Sequence, residues 1–305
     1  MAVPASVVIT SDETPVPVRP RRSRVASRHR ARFWVCSAIV LAYVLAAIFG
    51  PMLTHFNASL NNVTESLVPP LGHKGQSGFQ LLGTDWLGRD MFEEMLQGAR
   101  TSILIGATTV GIAAVVGTLV GIVAGVRGGV IDGILMRLAD VQLAFPSIVM
   151  AMLIVGVLGV SILNVVLSLS LASWVVFARV ARAEAVRVRA LPFVDASRLL
   201  GGGTIHIMRS AVLPACVAPV GVYMTVQFAF VVVSEAALSF LGVGVPLSDA
   251  SWGTTIAGGE QYLATAWWIA TFPGLALAIL VTCISIIGAE LRREIGRESP
   301  TQTVR

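Results

Sequence analysis

Long apolar runs separated by short polar segments make up most of the chain. Six of these runs have the length and composition to cross a bilayer, and they cover roughly residues 33–53, 103–126, 142–160, 162–178, 211–234 and 264–289. A helix needs about 20 mostly apolar residues to span a hydrocarbon core of about 30 Å. The runs are continuous and do not alternate with polar positions, which favours helices over a β-barrel. The pattern therefore predicts an all-α, polytopic membrane protein with six transmembrane helices.

The polar segments divide the chain into four parts. We expect a disordered Arg-rich tail, then the first span with a long external loop, then a core of five spans, then a short second tail, at residues 1–31, 32–102, 103–293 and 294–305. The core includes a polar connection between the fourth and fifth spans, at about 179–210.

The second half of the external loop has its own periodicity. Within residues 83–100, large apolar residues recur at helical spacing, at Trp86, Met91, Phe92, Met95 and Leu96. Acidic residues occupy the other side, so this segment predicts an amphipathic helix that lies at the outer membrane interface.

Composition and charge agree with a membrane protein and indicate its orientation. The chain has 305 residues, of which 55% are hydrophobic and 13% charged, and its mean hydropathy is +0.80. Nineteen of the 22 Lys and Arg residues fall on one side of the predicted spans. The positive-inside rule therefore predicts that both termini are cytoplasmic. Because the basic residues behind the net charge of +5 cluster on one side of the predicted spans, we expect contact with membrane lipid and no nucleic-acid partner.

The sequence contains no catalytic constellation that we recognise. Its four histidines do not cluster, its three cysteines lie in apolar runs without metal-ligand spacing, and neither HExxH nor GxSxG occurs. A phosphate-binding P-loop needs a Gly-Lys-Ser/Thr ending, but the single lysine is Lys74, in the external loop. We predict a non-enzymatic chain without metal or bound cofactor, so energy for uphill transport must come from an ion gradient or another subunit.

Two features inside the spans are candidates for assembly or function. Gly117, Gly121 and Gly125 are four residues apart on one helix face, which predicts a packing seam because small residues allow close helix approach; the alternative is that these glycines are merely tolerated. Glu235 is an acidic residue deep in the apolar pattern where the fifth run ends. It is a candidate proton carrier, although we favour a position near the outer helix end, in contact with water or a partner's donor.

The stretch FVDASRLLGGG, residues 193–203, is polar at one end and glycine-rich at the other. Pro192 suits a first helical turn, Asp195 places a carboxylate near the positive helix end, and Gly201 suits the left-handed position that ends a helix. The pattern predicts a helix of about two turns, which is too short to be stable without a surface to rest on. Taken alone, it is equally typical of an ordinary loop that ends in a glycine cap.

The same region resembles the EAA loop of permease subunits of ATP-binding-cassette (ABC) importers, written EAA, three residues, G, nine residues, I, x, L, P. The matching positions are Asp195, Ala196, Ser197, Gly201, Leu213 and Pro214. Three positions depart from the pattern: Asp195 replaces glutamate, Ser197 replaces the second alanine, and Ala211 replaces isoleucine.

Two further stretches narrow the resemblance to the C-type permease subunits of dipeptide, oligopeptide and nickel importers. Residues 81–106 resemble their signature after the first span, at Gly83, Thr84, Asp85, Gly88, Arg89, Asp90, Gly98 and Arg100. Residues 235–253 resemble their outer-loop segment, at Glu235, Leu241 and Gly242.

The resemblance implies a type I ABC importer permease fold in the bacterial inner membrane. It also implies a homologous second permease subunit, two cytoplasmic subunits that bind ATP and Mg, and an extracytoplasmic substrate-binding protein. The helix at 192–200 would then be a coupling helix that docks on an ATPase subunit. The resemblance to the peptide branch of the family makes peptides the expected substrate. The alternatives are a nickel or other small-solute permease, a self-sufficient proton-coupled transporter that uses Glu235, and an assembly protein without a transport role.

Overall fold

Helices form most of the structure, a computed structural model that describes residues 22–53, 63–73, 79–246 and 248–298. In chain order the helices are α1 Arg22–Leu53, α2 Met91–Arg127, α3 Gly129–Leu143, α4 Ser147–Leu158, α5 Ile162–Arg189, α6 Pro192–Leu199, α7 Thr204–Ile207, α8 Leu213–Phe240, α9 Trp252–Gly259 and α10 Trp268–Glu298. Short 3₁₀ turns lie at Val63–Glu65 and Glu260–Tyr262, and a π turn lies at Met208–Val212. Strands β1 (Gly72–His73) and β2 (Phe79–Gln80) form a short antiparallel pair, with Gly72 opposite Gln80.

Both ends of the described chain are more helical than the sequence predicts. Helix α1 begins at Arg22, so the part of the expected N-terminal tail from residue 22 to 31 is helical, while residues 1–21 lie outside the described residues. Helix α10 continues to Glu298, into the expected C-terminal tail, and residues 299–305 lie outside the described residues. Arg, Glu and Ala are good helix formers, so polar composition alone does not end a helix.

The separate interfacial helix predicted over residues 83–100 is wrong. Residues 83–90 form a turn segment instead, closed by a bridge between Thr84 and Asp90. Asp90 caps α2 by accepting a hydrogen bond from the backbone N–H of Phe92 at 2.7 Å. From Met91 the helix runs unbroken for 37 residues to Arg127, because no proline interrupts the join between the amphipathic and apolar stretches.

The third predicted span, 142–160, is also wrong as a single helix. Helices α3 and α4 meet at 86° across a break of residues 144–146. Pro146 explains the break, since proline lacks a backbone donor and disfavours helical geometry at Phe145 before it. Among the described residues, five helices are long and apolar enough to cross a membrane, or up to six if the bent pair counts as one span.

The remaining helices extend beyond the predicted spans. Helix α5 continues past residue 178 to Arg189, and α8 runs from Leu213 to Phe240. Helix α2 packs along α5, α8 contacts α2, α5 and α10, and α1 contacts α2 and α10. The core centres on the apolar face of α5, where Phe177, Ala178, Ala181 and Ala185 are fully buried.

Three glycines of α2 lie directly against α5. A methyl group on Gly117 would overlap the carbonyl oxygen of Trp174, and one on Gly121 would overlap that of Ala178. A methyl group on Gly125 would lie 2.7 Å from the Cβ of Ala185. The two helix backbones therefore approach as closely as glycine allows.

Gly121→Ala is expected to lower the melting temperature of the purified chain in detergent. The added methyl group collides with the α5 backbone, and overpacking of this kind costs about 1–3 kcal/mol. Gly111→Ala on the same helix is the matched control, because a methyl group there meets no atom within 4 Å. Since alanine is intrinsically about 1 kcal/mol better than glycine in a helix, the control should keep or raise the melting temperature. Equal melting temperatures for the two variants would contradict the seam.

Candidate functional site

The short helix α6 lies between the end of α5 and the start of α8, and its sequence explains both of its ends. Pro192 occupies the first turn and Asp195 follows within it, where proline geometry and a negative charge both favour a helix start. At the other end, Gly201 has φ +89°, a conformation that glycine adopts at little cost.

Two hydrogen bonds complete the end of α6. The N–H of Gly201 donates to the carbonyl of Arg198 at 3.0 Å, and the N–H of Gly202 donates to the carbonyl of Ser197 at 2.8 Å. This is the Schellman arrangement, which satisfies carbonyls that the helix leaves without partners. The chain therefore reverses sharply at Gly201 and returns through α7 to α8.

Helix α6 exposes apolar side chains on an otherwise polar connection. Val194 is only 1% exposed and anchors the helix on the core, whereas Leu199 and Leu200 are each 90% exposed. Phe193 and Ile205 are exposed as well. A cluster of exposed large apolar residues marks an interaction surface. We call Phe193, Leu199, Leu200 and Ile205 the α6 patch.

The residues of the EAA-like motif lie on α6 and at the start of α8. Asp195 and Ala196 are exposed and Ser197 is partly buried, while Asp195 accepts a hydrogen bond from Arg198 at 3.3 Å. Leu213 and Pro214 lie in the first turn of α8. Ala211, which departs from the family pattern, lies in the π turn and packs against the main core.

The external motif forms a polar cluster at the opposite end of the helices. Asp85 is fully buried, and its Oδ1 accepts from the backbone N–H groups of Leu87 and Arg89 at 2.8 and 2.7 Å. Its Oδ2 accepts from Arg89 Nε at 2.7 Å. Gly83 and Gly88 have φ of +83° and +78° in the same segment, so backbone turns and a buried ion pair together shape it.

We call Thr84, Asp85, Arg89 and the residues bonded to them the outer cluster. It joins the loop to three helices. Arg89 also donates to buried Glu94 of α2 at 3.3 Å, and Thr255 of α9 donates to Glu94 at 2.8 Å. Trp268 of α10 donates to the carbonyl of Thr84 at 3.1 Å. Of the remaining motif residues, Gly98 lies against Trp252 and Arg100 is exposed. These contacts fix the position of the loop relative to the helices.

Glu235 lies near the end of α8, as we favoured from the sequence, but it meets serine hydroxyl donors and not water. Its side chain is fully buried. Oε2 accepts from Ser102 of α2 at 2.9 Å, and Oε1 accepts from Ser239 at 2.8 Å. Helix α8 ends at Phe240, Leu241 caps it, and Gly242 follows at φ +78°, so Glu235 ties the end of α8 to α2.

Sequence reasoning missed two groups that the structure brings together. Glu94 joins the outer cluster, and Asp132 of α3 accepts two hydrogen bonds from Arg182 of α5. Asp132 and Arg182 are 50 positions apart, and no local periodicity connects residues at such a distance. Among the described residues, no group of three or more His, Cys, Asp or Glu side chains is placed to hold a metal ion.

Comparison with known proteins identifies the family. The family described as binding-protein-dependent transport system inner membrane component matches residues 117–296. The chain belongs to this family of ABC importer permeases. The matched region contains α6, Gly201 and the start of α8, which are the elements that suggested the family from sequence.

Individual relatives match most of this permease. It is 38% identical over 281 residues to a putative peptide transport system permease protein of Brucella abortus, covering 92% of this chain and 91% of the relative. It is 37% identical to the di/tripeptide transport system permease protein DppC of Pseudomonas aeruginosa, covering 83% and 84%. It is 36% identical to the dipeptide transport system permease protein DppC of Escherichia coli, covering 91% and 93%.

A solved structure shares the fold of the permease. An inward-facing conformation of the MetNI methionine ABC transporter aligns with a TM-score of 0.54 at 17% identity, covering 66% of this chain and 96% of that one. The all-α importer permease fold expected from the sequence is thereby confirmed.

Proposed function

We propose that this permease is the non-catalytic membrane subunit of an ATP-driven importer of dipeptides and oligopeptides. The observation that carries the proposal is the α6 patch, which presents apolar side chains on a rigid, capped helix between two long helices. The peptide substrate is supported by relatives that are named for peptide transport and match over most of their length. In this role the chain forms half of the translocation pathway.

The α6 patch would dock on a cytoplasmic ATPase subunit. Exposed Leu199 and Leu200 would insert into an apolar groove, and Asp195 and Arg198 would lie at its polar rim. Closure of the ATPase pair would then displace α6 as a rigid body and move the attached helices. Binding of ATP and Mg belongs to those partner subunits.

The rest of the assembly follows from the same proposal. A homologous second permease would complete the pathway, and an extracytoplasmic binding protein would deliver the substrate. The Arg-rich segments support a cytoplasmic position for both termini in a bacterium, which would put the outer cluster on the far side of the inner membrane.

The proposal is tested by reconstituting the chain with its copurified partners in proteoliposomes. We expect uptake of the dipeptide Ala-Ala that requires ATP and the binding protein, and that persists when an ionophore abolishes the proton gradient. Uptake that follows the proton gradient and ignores ATP would overturn the proposal and favour the proton-coupled alternative.

Glu235→Gln is expected to leave ATP-driven uptake close to the wild-type rate. The amide keeps an acceptor oxygen, and its NH₂ group can donate to the second serine hydroxyl, so the contacts to Ser102 and Ser239 survive. A proton carrier would lose transport completely on the same change. Uptake assays on equal amounts of assembled complex separate the two outcomes.

A further inference from the structure

Helix α3 is held in place by little apolar packing. Of its 15 residues, all of them described, only Ala139 is buried. Its first residue follows Gly128, and Gly128 and Gly129 have φ of +68° and +59°. The break at residues 144–146 and the 86° bend to α4 lie at its other end. Helix α3 is thus a short rod with a break in the helical geometry at each end.

Polar contacts to α5 compensate for this sparse packing. Arg182 donates from Nε and Nη2 to the two carboxylate oxygens of Asp132, at 2.5 and 2.6 Å. Arg179 donates to Asp140 at 2.6 Å. Gln142 accepts from Trp174 Nε1 at 2.6 Å. The contacts run along the length of α3, in antiparallel order to α5.

The Asp132–Arg182 pair is the strongest of these contacts. It is bidentate, a geometry that adds strength and directionality, and the side chains of Asp132 and Arg182 are 19% and 38% exposed. Arg179 and Asp140 share one contact and are 51% and 61% exposed. Exposed pairs of that kind contribute little, so of the two charge pairs between α3 and α5, Asp132 with Arg182 is the stronger.

Helix α5 is also the helix that leads into α6. Only Ala190 and Leu191 separate the end of α5 at Arg189 from Pro192, and Arg182 lies about two turns before that end. A displacement of α6 therefore acts most directly on the end of α5 that carries Arg182.

We propose that Asp132 and Arg182 are positioning residues that make α3 follow α5, so that a displacement of α6 reaches the bend between α3 and α4. The inference rests on the proposed function, in which an ATPase displaces α6. It predicts that the pair affects how efficiently hydrolysis drives uptake, and not whether the complex assembles or hydrolyses ATP.

The test uses the whole complex, with its partner subunits, in proteoliposomes. Asp132→Asn removes the charge with little change in size. We expect ATP hydrolysis and the yield of assembled complex to stay at wild-type levels, while Ala-Ala uptake per ATP falls about fivefold or more, as for the loss of a coupling contact. Glu184→Gln is the matched control, because it breaks a pair with Arg187 that lies within α5, and it should behave as wild type.

A charge exchange separates positioning from simple loss of stability. Arg182→Asp alone should uncouple uptake, and adding Asp132→Arg should restore part of it. Restoration should be incomplete, because a positive charge in the first turn of α3 opposes the helix dipole. Wild-type uptake per ATP in Asp132→Asn, or a double variant no better than either single variant, would overturn the proposal. A failure of the importer function itself would show as absent ATP-driven uptake in the wild-type complex.

Discussion

Replacing Gly201 with proline is expected to abolish ATP-driven peptide uptake while the chain stays in the membrane. Proline holds φ near −65°, whereas Gly201 has φ +89°. Proline also lacks the N–H that donates to the carbonyl of Arg198 at 3.0 Å. Both changes destroy the cap of α6, and an eight-residue helix cannot hold its shape without support. Uptake into proteoliposomes and immunoblots of the membrane fraction measure the two parts of this prediction.

Gly203→Ala is the control for that experiment. Gly203 has φ −72° and ψ 166°, an ordinary extended conformation for any residue, and a methyl group on it meets no atom within 4 Å. We expect Gly203→Ala to keep wild-type uptake. If both variants were inactive, or if Gly201→Pro transported normally, the reversal at Gly201 would not have the role assigned to it.

Asp85→Ala is expected to destabilise the chain by about 3–5 kcal/mol, the usual cost of removing one partner of a buried ion pair. Asp85 is fully buried and accepts from two backbone N–H groups and from Arg89 Nε. Alanine leaves those donors without this acceptor and weakens the join between the loop and α2. Thermal unfolding in detergent, followed by tryptophan fluorescence, measures the change.

Asp90→Ala provides the comparison for Asp85→Ala. Asp90 lies five positions along the chain and accepts from the N–H of Phe92 as the cap of α2. Loss of a helix cap costs about 1 kcal/mol, so its melting temperature should fall clearly less than that of Asp85→Ala. A larger fall for Asp90→Ala would contradict the central place of Asp85 in the outer cluster.

The helices that sequence predicted well are those whose apolar run coincides with an uninterrupted helix. The predicted run 33–53 lies within α1, and 211–234 falls largely within α8. The run 142–160 failed because apolar composition cannot distinguish one span from two helices joined at a proline, here Pro146. The prediction of a separate interfacial helix over 83–100 was wrong for the opposite reason. Residues 91–127 continue as one helix although their polarity changes along it.

The candidate site shows the same division between local and distant effects. The start of α6 at Pro192 and its end at Gly201 follow from local rules of helix capping, so they could be predicted. Glu235 and its partner Ser102 lie more than 50 positions apart in sequence, and Asp132 lies 50 positions from Arg182. The contact of Glu235 to Ser239 is local. Only the packing of helices brings them together.

Docking of α6 on an ATPase can be tested with a photo-crosslinker placed at Leu199, in a tagged chain that is purified in mild detergent from its native membrane. Leu199 is 90% exposed on α6, and Leu153 on α4, also exposed, is the control position. We expect mass spectrometry to find a P-loop ATPase subunit crosslinked through position 199 and not through 153, along with a second permease. Purification of the chain without any nucleotide-binding subunit, or crosslinks from position 199 to lipid alone, would show that α6 does not dock on an ATPase.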